Sequence, residues 1–127
     1  MSAFSNYLEN KVMLHVFGGS AYTAPATLYL ALYTVAPDDT GGGTECSGTS
    51  YARQTVAFTV TNDTASNTSA VEFPTAGSSW GTIVAVGILD QSTSGNLLAY
   101  GNLTASKTIA SGDVFRVPAG DLDITLA

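Results

Sequence analysis

One stretch of this chain limits what it can build. Thr27-Leu28-Tyr29-Leu30-Ala31-Leu32-Tyr33-Thr34 sets Leu28, Leu30 and Leu32 on one face of an extended strand and Tyr29, Ala31 and Tyr33 on the other. Both faces are apolar, so the strand must be covered twice, by the core on one side and by a helix or a partner on the other. The stretch before it has a different period. Within residues 4–17, Phe4, Leu8, Val12 and Val16 recur at helical spacing, Ser2 or Ser5 offers an N-cap, and Gly18-Gly19 offers a left-handed stop. A helix of about four turns is marginal alone and has to dock. The sequence leaves open whether it folds onto its own sheet or onto a neighbouring subunit.

After Gly19 the pattern stays extended. Strands are expected at residues 27–34, 51–60, 70–73, 82–89, 96–103, 114–117 and 122–126, separated by turn clusters such as Ser92-Thr93-Ser94-Gly95-Asn96 and Ser111-Gly112-Asp113. In the last strand Leu122, Ile124 and Leu126 alternate inward while Asp121, Asp123 and Thr125 alternate outward. About seven short strands with turns every ten or so residues predict a mainly β fold, an antiparallel, jelly-roll-like β-sandwich with one N-terminal helix. At 127 residues the whole chain, residues 1–127, is a single domain that buries about two-thirds of its surface on folding.

Charge narrows the function. Lys11, Arg53, Lys107 and Arg116 are the four cations against ten acids, and charged residues make up 11% of the chain. Phosphate backbones demand several cations in one stripe, so neither nucleic acid nor an anionic membrane is an expected partner. Met1-Ser2-Ala3 leads into no basic and apolar run of the kind that marks a signal peptide, so synthesis in a cytoplasm is expected. Ser and Thr, 13 and 17 in number, take the place of charge. Threonine suits exposed strand faces, which accounts for part of that excess.

Catalytic constellations are not apparent, and no enzyme, cofactor or metal site is expected. His15, the one histidine, reads as a helix-flank residue packed by its ring, and no serine sits in a nucleophile elbow. Cys46 lies in a Gly/Ser/Thr loop without a neighbouring cation to activate it. Asp38-Asp39 follows Pro37 into a turn, and Asp121 and Asp123 point outward from a strand, neither with the spacing of a calcium loop. Gly41-Gly42-Gly43 lacks the Lys-Ser/Thr of a phosphate loop, and the Asn-x-Ser/Thr matches at Asn62, Asn67 and Asn102 are chance products of a hydroxyl-rich chain. Tyr29, Tyr33 and Trp80, with other tyrosines, are candidates for a contact face, against the simpler reading as packing residues.

Several segments carry a resemblance: Tyr7-Leu8-Glu9-Asn10-Lys11, Phe17-Gly18-Gly19, Ala24-Pro25-Ala26-Thr27-Leu28-Tyr29, Tyr51-Ala52-Arg53-Gln54, Trp80-Gly81-Thr82 and Gly95-Asn96-Leu97-Leu98-Ala99-Tyr100-Gly101. Over nearly its full length the chain resembles the small virion structural proteins of tailed bacteriophages, a group spanning head decoration or cement proteins and tail-fibre-like proteins. The resemblance implies a virion location, phage structural proteins (a major capsid or tail protein) as partners, and no catalytic residues. Low charge agrees with it, because interface cores are depleted in charge and enriched in aromatics.

Three readings follow. The first is a head decoration protein clamping major-capsid subunits, the second a tail or tail-fibre protein, and the third a carbohydrate-binding adhesin in which Trp80 stacks on host glycans. In the first two, Leu8, Val12 and Val16 of the helix and the Tyr29/Tyr33 face form the partner surfaces, and a homo-oligomer is expected.

Overall fold

A computed structural model describes residues 3–126. In chain order the elements are β1 (Ala3–Phe4), α1 (Asn6–Val16), β2 (Leu28–Val35), β3 (Thr44–Glu45), β4 (Gln54–Val56), β5 (Phe58–Thr61), β6 (Thr64–Asn67), β7 (Val71–Glu72), β8 (Gly81–Leu89), β9 (Leu97–Ile109), β10 (Arg116–Val117) and β11 (Asp123–Thr125). All strand pairs are antiparallel. The principal sheet runs β1-β9-β8-β2-β3, with β4 sharing the outer edge of β2 beside β3. A pair, β10-β7, and a triplet, β11-β6-β5, face it.

The mainly β sandwich with one helix is the predicted class, built from more and shorter strands than seven. The stretch at residues 51–60 is split by Ala57: β4 pairs with β2, while β5 pairs with β6 in another sheet. β3 and β6 are polar hairpin strands without an apolar signature, and β1 takes Phe4 out of the expected helix to pair it with Ala99. β9 runs six residues past its expected end. Between Asn102 and Lys107 it carries four residues opposite the single residue Val84, a wide bulge.

The two-faced strand is covered on both sides by its own chain. Leu30 and Leu32 enter the main core with Ile83, Val86 and Ile88 of β8, while Ala31 and Tyr33 enter a second cluster with Ala85, Leu89 and Leu97. At the β9 bulge opposite Val84 the alternation of β8 shifts, so that Ile83 enters the main core and Ala85 the second cluster. Across the main core the smaller sheets contribute Val71, Phe58, Val117 and Ile124. Its centre is aromatic. Tyr51 stacks on Phe73 at 6.1 Å and meets Trp80 edge-on at 5.4 Å, and Phe73 meets Phe115 edge-on at 5.9 Å. The Trp80 indole N–H donates to Thr49 O at 3.0 Å. Gly48 sits at φ +151° against this indole, where an added Cβ would lie 2.6 Å from Trp80 Cδ1.

Helix α1 starts as the sequence indicates. Ser5 is the N-cap: its hydroxyl accepts the Leu8 N–H and donates to Leu97 O, and its own N–H donates to Leu98 O. Cap and anchor are therefore one residue, fixing the helix to β9. Gly19, at φ +70°, closes the other end, where Ser20 N–H returns to Leu14 O. No residue of the helix is fully buried.

Core and helix surface should respond differently to truncation. Trp80→Ala removes a 2% exposed side chain and is expected to cost about 3–5 kcal/mol in urea unfolding. Val16→Ala, on the open helix face, should stay within about 0.5 kcal/mol of the parent.

Candidate functional site

The residues singled out from sequence fall in three places. Trp80, 2% exposed, belongs to the aromatic core, so a role in stacking on sugars or partners is overturned by its burial. Tyr33, 5% exposed, packs in the second cluster beside Gly87, where a Cβ would come within 2.8 Å of the Tyr33 ring. Its neighbours there are residues of this chain, which supply the cover that the sequence reading assigned to another subunit. Tyr29 is half-buried on the same strand. Leu8, Val12 and Val16 share α1, the first two half-buried and Val16 61% exposed.

Two strongly exposed apolar residues, Met13 in the helix and Phe17 at its C-cap, lie outside the stripe that includes Val16. Phe17 is 78% and Met13 57% exposed, with Leu14 beside them. Met13 and Phe17 are four residues apart and Met13 lies between Val16 and Phe17 on the wheel, so all three share one side of the helix. That spacing was the available signal. His15 is exposed rather than packed by its ring, and its Nδ1 accepts the Tyr22 N–H at 3.0 Å, tying the returning chain to the helix.

Beside the second cluster lies a polar cleft of about 360 Å³, lined among others by Tyr7, Tyr33, Asp39, Arg53 and Asn96. Its charged groups are engaged in structural bonds. Arg53 donates Nε and Nη2 to the two Glu45 oxygens at 2.9 and 2.8 Å, and Nη1 to Gln91 O and Ser94 O at 2.8 Å each. Tyr51 donates its hydroxyl to Glu45 Oε2 at 2.8 Å and accepts the Leu32 N–H at 3.1 Å. Tyr100 donates to Asp39 Oδ1, whose backbone carbonyl accepts the Asn6 N–H. This network joins β2, β3, the loop at residues 36–43, the turn at residues 90–96 and the start of the helix.

Electrostatics follow from these partners. Burial pushes the Glu45 carboxyl up, but the bonds from Arg53 and Tyr51 and the Arg53 charge outweigh it and hold the group below its ordinary value. Burial, then the nearby Glu45 charge, pushes the Cys46 thiol up to about 11. Cys46 is 3% exposed, and its thiol points at Trp80 O. Asp38 makes the turn expected of it, its Oδ1 accepting both the backbone N–H and the hydroxyl of Thr40, which hold its carboxyl below the ordinary value. Among the described residues, no three His, Cys, Asp or Glu side chains converge as a metal site, and no helix is long and apolar enough to cross a membrane.

Two measurements check this account. Glu45 keeps 27% side-chain exposure, so Glu45→Gln should cost about 1–3 kcal/mol at pH 7, less than breaking a fully buried pair. Because the folded carboxyl is depressed, its contribution is present above the unfolded carboxylate value and is lost as pH falls through the folded one. Urea unfolding from pH 7 to pH 3 should therefore show a flatter pH dependence in Glu45→Gln than in the parent. In thiol titration with a disulfide reagent at pH 8, Cys46 should react at least tenfold faster in the unfolded chain than in the native one.

Residues 3–125, from the first strand through the last, match the family described as podophage GP4 fiber I protein gp80. No curated protein matches the chain. The match spans the sandwich, the helix with its exposed apolar side and the network that anchors it, in agreement with the resemblance to phage virion proteins. The chain belongs to the podophage GP4 fiber I protein gp80 family.

Proposed function

We propose that the chain is a non-enzymatic structural subunit of the fibre apparatus of a tailed phage particle, assembled with other phage structural proteins. The observation that carries this reading is the family match over residues 3–125. It supports the second of the sequence readings over the first, because the family is one of fibre proteins and not of head decoration proteins. The geometry is compatible with a building role. The polar network holds loops together with its groups mutually partnered, while Met13 and Val16 of the helix and Phe17 at its C-cap leave apolar surface exposed. Exposed apolar side chains gathered on one side of an element mark association surfaces.

In this reading Val12 and Val16 act in assembly together with Met13 and Phe17. Tyr33 and Trp80 act inside the fold. The adhesin reading loses its stacking residue with the burial of Trp80. Copies of the chain would occupy equivalent positions on the particle. Light-scattering mass of the purified protein reads whether copies also contact one another.

Fractionation of purified particles distinguishes the positions. Mass spectrometry should find the chain in particles and isolated tails and not in tail-less heads. Recovery with tail-less heads, together with a raised melting temperature of those heads, would return the decoration reading.

A further inference from the structure

The exposed side of α1 continues beyond the helix. A groove of about 570 Å³ runs between the helix and the chain ends, lined by Phe4, Glu9, Val12, Met13 and Leu126. A second groove of about 190 Å³, lined by Val60, Asp63 and Ile124, shares Phe4 and Leu126 with the first. Together they form one apolar strip from Val60, across Phe4 and Leu126, to Met13, with Val16 and Phe17 continuing it along the helix. Val60 and Leu126, like the helix residues, are more than half exposed.

The charge on this strip is one-sided. Glu9 lines the first groove and Asp63 the second, and among the described residues no Lys, Arg or His lines either. The four cations of the chain are placed elsewhere. Arg53 is bound to Glu45, Arg116 lies 3.9 Å from Glu72, Lys11 sits over the Tyr7 ring, and Lys107 pairs with Ile83 in the main sheet. Two copies joined symmetrically through the strip would set acids against acids in a chain of net charge −6.

We propose that this strip docks an amphipathic segment of another virion protein, one whose apolar residues are flanked by Lys or Arg. The proposal rests on the fibre reading for its setting and names the partner's chemistry. Phe4, Met13, Leu126 and Val60 offer the apolar bed. Glu9 and Asp63 orient the basic flanks, selecting partner and register more than supplying affinity.

The chemistry is tested with two synthetic helical peptides of one apolar pattern, one of Leu and Lys and one of Leu and Glu, titrated against the purified full chain by fluorescence anisotropy. The Leu/Lys peptide should bind at least tenfold more tightly than the Leu/Glu peptide. That preference should shrink at about 0.5 M salt, where screening acts over only a few ångström. Met13→Ser with Phe17→Ser should weaken binding tenfold or more, and Glu9→Gln with Asp63→Asn about three- to tenfold. All four side chains are exposed, so circular dichroism and the urea midpoint should confirm that both variants remain folded. Equal binding of the two peptides, or indifference to either pair of substitutions, overturns the proposal.

The partner is tested in the intact particle with a photo-crosslinking residue at Val16. The expected product joins the chain to a Lys- or Arg-flanked apolar segment of a different virion protein. Crosslinking to a second copy of this chain, or no product while the chain is present in the particle, overturns it. Absence of the chain from the particle overturns the fibre reading instead, and the peptide titration then decides the surface chemistry by itself.

Discussion

Five consecutive residue pairs, Tyr29 with Leu89 through Tyr33 with Ala85, lock β2 to β8, and both strands are apolar on both faces. A strand pair of this kind cannot leave either face to water, so the rest of the molecule amounts to two covers. One cover is large. The small sheets bring Val71, Phe58, Val117 and Ile124, and the connections between strands bring Tyr51, Phe73, Trp80 and Phe115. The other is thin. Tyr33 and Leu97 fill the space above Gly87, and the Glu45–Arg53 pair closes its border with bonds to Tyr51 and the turn at residues 90–96.

The thin cover explains the helix. With Tyr33 and Leu97 already filling the second face, α1 has no deep groove to enter. It is held at its first turn instead, through the Ser5 bonds to Leu97 and Leu98, the short pairing of Ala3 and Phe4 with β9, and the Asn6 bond to Asp39. Leu8 and Val12 reach partial cover there. The far half of the helix passes beyond the sheet's protection, which leaves Met13, Val16 and Phe17 in solvent. An element attached at one end with its apolar side outward gains from a partner what its own sheet does not supply.

These consequences were unequally legible in the sequence. The alternation of residues 28–33 shows a strand with two buried faces, and Ser5 with Gly18-Gly19 brackets the helix, because both signals are local. What is missing from sequence is which distant residues meet. Tyr51, Phe73 and Trp80 stand far apart along the chain, so their convergence into one aromatic core cannot be read from spacing. An isolated tryptophan then reads equally well as a surface residue. The same holds for Tyr33, whose face is apolar in sequence whether its cover comes from this chain or another. The split of the 51–60 stretch was hidden because residues on both sides of Ala57 are strand-formers, and only the change of partner sheet reveals the break. Met13 and Phe17 were visible at i, i+4 spacing. They were overshadowed by the longer run Phe4, Leu8, Val12 and Val16, of which Phe4 is not helical at all.

The hydroxyl-rich, low-charge composition fits the same logic. Across the strands hydroxyls pair with hydroxyls: Thr59 with Thr68 at 2.9 Å, Thr82 with Thr108 at 3.0 Å, and Thr64 with Thr125 at 3.4 Å. Such pairs stabilise exposed sheet faces without the ion pairs that most surfaces carry. A β surface poor in charge risks joining other sheets by its edges, and β9 is a long exposed edge here, since β1 covers only Ala99 and Tyr100. Beyond them the wide bulge at residues 103–106 breaks the line of the strand, and Lys107 follows immediately. Both devices discourage strand-to-strand joining along that edge. With that route blunted, the strip proposed for docking differs in kind from a sheet edge. Its side chains and acidic border can choose a partner, which a bare row of backbone groups cannot.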